Sequence, residues 1–412
     1  MAGSLSVEVC IVGAGPVGGA LACRLGAAGI ATAVIDRAAL APMEHPAFDG
    51  RAYAIAAGPQ LVLATAGLWE RLPFRPGPIL GIRVSDGRLG RPASRRFLHF
   101  DGSDVLAGPD PDAADGALGW MVEARSLRMA INARLRGLGT VSVFAPAGAR
   151  VERGREGVRV EVAGGPALAC RLVVAAEGRG SALRQQAGIP VTRLSYGQSG
   201  IVFVLAHARP HHGVALEHFL PAGPFAQLPL APSEAAEHAS AIVWAERDAV
   251  AARMMALDEA AFTRAAGRRL GGHLGEIRLL GGRWSYPLSA MLAHRYTDVR
   301  LALVGDAAHG VHPIAGQGLN LGFRDASVLG ELVIAALARG KDPGALGLLA
   351  RYQAARRPDN MLMLAATHGL DRLFSNDIPP VRLARYLGIA AVHRMPAVKR
   401  VFMRYAMGAL MA

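Results

Sequence analysis

The 412-residue chain is 52% hydrophobic and 19% charged, and its 50 Gly and 25 Pro follow no fixed period. This excludes disordered, collagen-like and linker-type chains and leaves room for two or three lobes. A net charge of +13 raises nucleic acid and anionic membranes as partners, but only Lys341 and Lys399 are lysines, so an Arg-rich, Ala-rich background accounts for the excess and no nucleic-acid partner is expected.

Cys10, Cys23 and Cys170 form no CxxC pair, and no HExxH or paired-ligand cluster occurs, so no metal site is expected and a reduced cytosol fits best. The first residues carry Glu8 and no basic stretch, and the apolar run that follows is broken by Gly, Pro and Arg24, which is wrong for a signal peptide. No window reaches the roughly 20 apolar residues of a membrane-crossing helix. The expected location is cytoplasmic, with any membrane contact peripheral at the inner face.

In chain order, residues 7–12 (VEVCIV) read as a buried strand, followed by Gly13-Ala14-Gly15-Pro16-Val17-Gly18, a helix over 17–28, and a second strand over 31–35 that ends at Asp36. This is a dinucleotide-binding βαβ unit: the first glycine makes the turn, the second admits a pyrophosphate, and the third lets helix approach strand. The helix start offers unpaired N–H groups to phosphate, and Asp36 can take ribose hydroxyls. NAD and FAD both satisfy the pattern.

Residues 79–85, 200–206, 214–220 and 241–245 read as strands between Pro and Gly turns, and 124–138, 258–271 and 317–338 as helices, with a mostly helical segment after Pro343. No internal repeat is visible. Residues 301–304 form another buried strand closed by Gly305-Asp306, and a helix opens near Gln317. Asp306 thus stands at a strand's carboxyl end, where open α/β sheets bind ligands, and Gly316 and Gly318 leave backbone N–H groups accessible. Two separated glycine-rich junctions suit one long cofactor gripped at both ends, and FAD is such a cofactor.

Residues 305–309 (GDAAH) and 312–326 (HPIAGQGLNLGFRDA) resemble the flavin-contacting segment of the aromatic-ring hydroxylases, flavoprotein monooxygenases with the para-hydroxybenzoate hydroxylase fold. The spelling is most similar to the branch that hydroxylates the ubiquinone precursor ring. The resemblance extends to Asp49-Gly50-Arg51-Ala52, Val122-Glu123-Ala124-Arg125, residues 219–230 (FLPAGPFAQLPL) and Leu373-Phe374-Ser375-Asn376.

It implies an α/β fold: a Rossmann-like FAD-binding lobe from 1–78, 101–190 and 286–345, a second mixed β-sheet substrate lobe from 79–100 and 191–285, and a helical C-terminal segment over 346–412. It makes FAD the cofactor, with Gly13, Gly15, Pro16, Gly18, Asp36, Arg37, Arg51, Arg125, Glu177, Gly178, Asp306, Gly316, Gln317, Gly318, Leu319 and Asn320 as the candidate contacts. One motif departs from the family pattern: Ala175-Ala176-Glu177-Gly178 stands where Gly-Ala-Asp-Gly is usual. Ser181, shortly after it, also reads as a helix N-cap.

The activity implied is hydroxylation of a polyprenylated phenol with NAD(P)H and O2. The cofactor carries that chemistry, so no catalytic side chain is assigned, and His312 and Pro313 are the loop candidates near the flavin. A flavoprotein of the same fold acting on another aromatic or isoprenoid, and a non-catalytic scaffold of a quinone-synthesis assembly, are the alternatives. Residues 378–412 hold Arg382, Arg385, Arg394, Lys399, Arg400 and Arg404 and no acid, while Val398, Val401, Phe402 and Tyr405 recur at helical spacing. A helix lying on an anionic membrane and a helix packed on the protein's own core both satisfy that pattern.

Overall fold

Apolar runs without alternation build the central sheet, because a strand covered on both faces has no polar side to show. The computed structural model describes residues 5–45, 51–87, 89, 98–101, 116–312 and 316–374, together with Met395, Met403 and Met407. Val9–Val12, Thr32–Ile35, Leu172–Ala175 and Leu301–Leu303 are parallel neighbours, with Val141–Phe144 parallel at one edge and Thr297–Asp298 antiparallel at the other. Helix Pro16–Ala27 packs against helices Ala124–Arg136 and Gln317–Leu337, and all three share one core with the sheet.

The register of this sheet places the site. Val12 pairs with both Ile35 and Ala175, and Ala175 pairs with Leu303, so four strands end abreast. The residues that follow, Gly13, Asp36, Ala176 and Val304, are thereby set side by side at the carboxyl edge, the ligand-binding edge of an open parallel sheet.

A second, eight-stranded sheet contains Val191–His207, Val214–Leu220, Gly223–Pro229, Ala239–Arg247 and Ile277–Ala293, extended by Gly81–Asp86, Leu98–Asp101 and His309–Gly310. Ile201, Phe203, Phe225 and Trp244 point to one face and pack with Ala251, Phe262 and Ala266 of helices Asp248–Met255 and Glu259–Leu270. The intervening Val202, Pro224, Ala226 and Val243 point the other way and line a cavity, the period-2 alternation of a strand. A three-stranded sheet of Ala52–Ala56, Gly77–Ile79 and Gly119–Glu123 closes on this second face, where Ile79 and Met121 meet Ala215 and Ala241.

Two expected strands are corrected where the chain passes between sheets. The strand expected over 79–85 splits at Leu80, whose N–H is given to the Gly213 carbonyl (2.8 Å); Gly77–Ile79 joins the three-stranded sheet and Gly81–Asp86 the eight-stranded one. The strand expected over 7–12 starts at Val9, in the central sheet, while Leu5–Ser6 just before it pairs with Ala167–Cys170 in another sheet. Strand Ile277–Ala293 runs unbroken through residue 286, where the sequence reading puts a lobe boundary. Gly281 and Gly282 fall at a register shift between the Val202 and Val204 pairings.

The two glycine junctions are tied together by close packing and by one buried carboxylate. A Cβ on Gly322 would lie 2.5 Å from the Val17 side chain, and one on Gly305 would lie 3.1 Å from it, so only glycines allow this approach. Asp325, fully buried, accepts the Gly305 N–H (3.0 Å), His309 Nε2 (2.6 Å), Arg356 Nε (2.8 Å) and Asn360 Nδ2 (3.3 Å). Burial alone would raise its pKa, but His309 and Arg356 more than offset it and hold the carboxyl down at about 2.

Removing one partner of such a network leaves buried charge uncompensated, so Asp325→Ala is expected to lower stability by about 3–5 kcal/mol, measured by urea unfolding at neutral pH. The folded-state pKa lies below the ordinary value, so this contribution is complete above about pH 4 and is lost as pH falls toward about 2. A wild-type-to-variant gap that does not narrow over that acid range contradicts the assignment.

Candidate cofactor and substrate cleft

A cavity of about 2100 Å³ lies against the carboxyl edge of the central sheet, the three-stranded sheet and the face of the eight-stranded sheet turned away from helices Asp248–Met255 and Glu259–Leu270. Pockets for one drug-sized ligand run to about 300–1,000 Å³, so this one accommodates a cofactor and a second molecule. Of the sequence-predicted residues, Gly13, Gly15, Pro16, Asp36, Arg37, Arg51, Glu177, Gly178, Asp306, Gly316, Gln317, Gly318, Leu319 and Asn320 all line it.

At the first junction each glycine meets a different constraint. Gly13 has φ +108° and a Cβ there would sit 2.3 Å from the Ala176 carbonyl oxygen, while a Cβ on Gly18 would sit 2.0 Å from the Gly13 carbonyl oxygen. These two glycines serve the chain's own close packing, and Gly18 does not line the cavity. A Cβ on Gly15 would meet nothing within 4 Å; it would project into open space that a ligand can use. No side chain caps the helix start at Gly15, so its first N–H groups remain for an anion. Asp36 is fixed by the Ala14 N–H on Oδ2 (2.7 Å) and the Ala38 N–H on Oδ1 (2.9 Å), and each oxygen keeps a further lone pair.

The second junction is built the same way. Gly316 adopts φ +62°, and no side chain among the described residues caps the helix Gln317–Leu337 that follows. Asn320 clamps this start to the three-stranded sheet: Oδ1 accepts the Ala56 N–H (3.1 Å) and Nδ2 donates to the Ala54 carbonyl (2.9 Å). Asp306 takes a hydrogen bond from Arg179 Nε (3.1 Å), and Arg179 Nη1 donates to Ser289 Oγ (2.8 Å). Arg51 stands over the Tyr53 and Tyr286 rings, 5.7 and 5.2 Å from their centroids.

Several residues depart from their expected placement or partners. Arg125 does not line the cavity; its Nε donates to the Glu44 carbonyl (2.7 Å) and its guanidinium lies 5.1 Å from the Phe74 ring. One helical turn on, Arg128 does line it and holds the Ala14 carbonyl through Nη1 (2.7 Å). The resemblance passed over Arg128, although its i+3 spacing from Arg125 was available as a signal. Glu177 turns back on its own chain, where Oε2 accepts the Ser181 hydroxyl and the Leu183 N–H, and Ser181 caps the next helix through the Arg184 N–H.

His312 is fully buried, edge-on to Tyr196 at 4.7 Å, and is not in the cavity lining. Burial, reinforced by His368 and opposed by Asp371, pushes its imidazole down to about 4, so it is neutral at physiological pH. Pro313, Asp49, Gly50 and residues 378–412 other than Met395, Met403 and Met407 lie outside the described residues.

Residues 6–367 match the FAD binding domain family. The chain is 49% identical over 404 residues to the ubiquinone hydroxylase UbiL of Rhodospirillum rubrum, spanning 98% of this chain and 90% of that protein. The chain belongs to the FAD-dependent ubiquinone-hydroxylase family. It is also 31% identical over 406 residues to the 3-demethoxyubiquinol 3-hydroxylase of Escherichia coli, spanning 97% and 98% of the two. The structure of p-nitrophenol 4-monooxygenase PnpA from Pseudomonas putida covers 97% of each chain with a TM-score of 0.77 at 20% identity, a likeness of fold. FAD is accordingly the cofactor of this cleft, and the fold is that of the FAD-dependent aromatic-ring monooxygenases.

In this hydroxylase-family chain, Gly15 and Gly18 are separable by substitution. Gly18→Ala forces a Cβ into the Gly13 carbonyl, and overpacking of that kind costs about 1–3 kcal/mol. Gly15→Ala meets no atom of the protein. Differential scanning calorimetry of the flavin-free protein is expected to show a lowered Tm for Gly18→Ala and an unchanged one for Gly15→Ala.

Proposed function

We propose that this protein hydroxylates the aromatic ring of a polyprenylated phenol in ubiquinone synthesis, consuming NAD(P)H and O2 and releasing water. The observation that carries the reading is the double character of the cavity: polar, glycine-lined junctions at one side and an almost wholly apolar sheet face at the other. A greasy ring substrate suits the second part, since burying apolar surface is favourable at about 25 cal/mol per Å².

The residues present fit FAD. Two helix starts without side-chain caps open on one cavity, and the space beside Gly15 is clear of protein atoms. In this reading Gly13, Gly15 and Pro16 hold the pyrophosphate, and Asp36 and Arg37 the adenosine end. Asp306, Gly178 and Arg51 bound the middle of the cofactor, and the 316–320 backbone faces the flavin ring. FAD, when bound, takes electrons from NAD(P)H and activates O2 for transfer of one oxygen atom to the ring. The chain's own part is to orient the ring and exclude water, which the apolar walls support.

The cavity's apolar character also supports delivery of the substrate from a membrane. Among the described residues no helix is long and apolar enough to cross one, and the basic, acid-free composition of 378–412 suits a peripheral contact. Co-sedimentation with anionic vesicles is expected for the full chain and weakened in a chain truncated before Pro379; equal binding removes the tail from the proposal.

The reaction is tested with the purified holoenzyme under air. A prenylated phenol is expected to stimulate NAD(P)H oxidation and to yield a product one oxygen atom heavier by mass spectrometry. Bound flavin without turnover on any phenol overturns the reading in favour of a scaffold. Gly15→Ala, folded but with its methyl in the pyrophosphate space, is expected to weaken FAD retention at least tenfold, a loss of about 1.4 kcal/mol or more, measured by flavin fluorescence on dilution.

A further inference from the structure

Among the described side chains of the eight-stranded sheet, one carboxyl group lines the cavity. On strand Val214–Leu220, Ala215, Glu217 and Phe219 point into the cavity, and Glu217 is opposed across the neighbouring strands by Ala226 and Val84. Neither can hydrogen-bond to it or neutralise it. Gln227, Arg83 and His218, polar residues on these strands, alternate to the other face, and helix Leu346–Phe374 brings Leu370, Leu373 and Phe374 to the lining. No hydrogen bond or ion pair reaches the Glu217 side chain among the described residues, although its strand neighbours are packed and the residue itself is half-buried.

An ionisable group in an apolar wall with no partner is costly unless something brought into the cavity satisfies it. A phenol is a planar apolar ring with a single O–H donor, which is the complement of an apolar wall with a single acceptor. Resting on the phenol-hydroxylase reading, we propose that Glu217 is a catalytic residue that binds the substrate's ring hydroxyl and takes its proton as oxygen is transferred. The phenol O–H bond breaks, the O–H bond of the carboxylic acid forms, and the electron pair stays on the phenol oxygen, where it raises electron density at the ring carbons that accept oxygen. When the ring carbon loses its own hydrogen as a proton, which ends on the water formed from the second oxygen atom of O2, aromaticity returns and the Glu217 carboxyl gives its proton back to the same oxygen. The electrons and oxygen come from NAD(P)H and O2 through the cofactor, so this proton step needs no further reactant.

Burial raises the Glu217 carboxyl to about 7. Against a phenol near 10, that leaves a gap of about 3 in pKa where an ordinary glutamate would leave about 6, which moves the pair toward the matched range that general-base catalysis favours. It also makes the group half-ionised near neutrality, so a titration in that range is its signature.

The test uses the holoenzyme with an ortho-prenylated phenol of short isoprenoid tail as probe, comparing wild type with Glu217→Gln, which keeps shape and hydrogen bonding but cannot take a proton, and Glu217→Asp. Product formation per FAD is expected to fall about 10²–10⁴-fold in kcat for Glu217→Gln, with FAD content unchanged and the limb of the pH profile near neutrality gone. Glu217→Asp is expected to recover part of the rate and the limb. A readout independent of turnover is the ultraviolet difference spectrum of the bound probe: the phenolate band is expected in the wild type at higher pH than in Glu217→Gln, because an ionised carboxylate beside the phenol oxygen disfavours a second negative charge there. Unchanged kcat, pH limb and phenol ionisation in Glu217→Gln overturn the role of Glu217 while leaving hydroxylation intact. A wild type that hydroxylates no phenol overturns the functional reading itself.

Discussion

Asp325 is an ionised carboxylate at the centre of the protein, and donors from three parts of the chain converge on it. The Gly305 N–H comes from the turn that presents Asp306, His309 from the strand after it, and Arg356 and Asn360 from the helix Leu346–Phe374. Arg356 in turn holds Asp359 (2.7 Å) and Asn360 (3.0 Å). The desolvation of a charge is several kcal/mol, recovered only when every lone pair is filled, so these pieces stand or fall together. The arrangement specifies position as well as stability: Asp306 can only face the cavity if Gly305 is turned inward onto Asp325. The Val17 side chain, lodged against Gly305 and Gly322, then carries that placement to the first glycine junction.

What was legible in the sequence follows from how local the physics is. The βαβ entry and the junction at 305–320 are written in contiguous residues whose backbone demands, a positive φ or a missing Cβ, admit few solutions, and both appear at the same cavity. The β-type runs between Pro and Gly turns likewise marked three strands of the eight-stranded sheet, 200–206, 214–220 and 241–245. The points at Leu80 and Val7 where a strand changes sheets were not legible, since either side of the crossing has the same apolar composition and only a distant partner decides which sheet receives it. Arg179, Arg128 and Asp325 were missed for a related reason. Their partners lie 127, 114 and 31 residues away or nearer in space only, and no spacing rule links such pairs.

The cavity divides its labour between two kinds of wall. The carboxyl edge of the parallel sheet supplies backbone N–H groups and short polar side chains, which recognise phosphate and hydroxyl groups whatever their neighbours are. The antiparallel sheet supplies area, with Val202, Ala226, Leu228 and Val243 presenting small or branched side chains at one level. Phe219 stacks on Phe374 at 4.1 Å, so the far end of that face is closed by the helix that Asp325 anchors. The same buried network therefore reaches both walls, one through the Gly305 turn and the other through the helix Leu346–Phe374.

Glu177 shows how a departure from a family's spelling can be absorbed. The family's Asp would hold its carboxylate one methylene nearer the backbone. Here the longer side chain reaches back to the Ser181 hydroxyl and the Leu183 N–H, and Ser181 passes the interaction on to the Arg184 N–H. The carboxylate is thus part of a helix start, where negative charge is favoured by the unpaired N–H groups and the helix dipole. Arg184, the helix residue so capped, is itself nearly fully buried and donates to the Ala307 and Arg179 carbonyls (2.9 and 2.8 Å). Through Arg179 the chain of contacts ends on Asp306. The substitution therefore keeps a negative charge at a place where it organises the turn opposite Asp306, and the polar work at the cavity surface there falls to Arg179 and to the Gly178 backbone, at φ +80°, in place of the carboxylate.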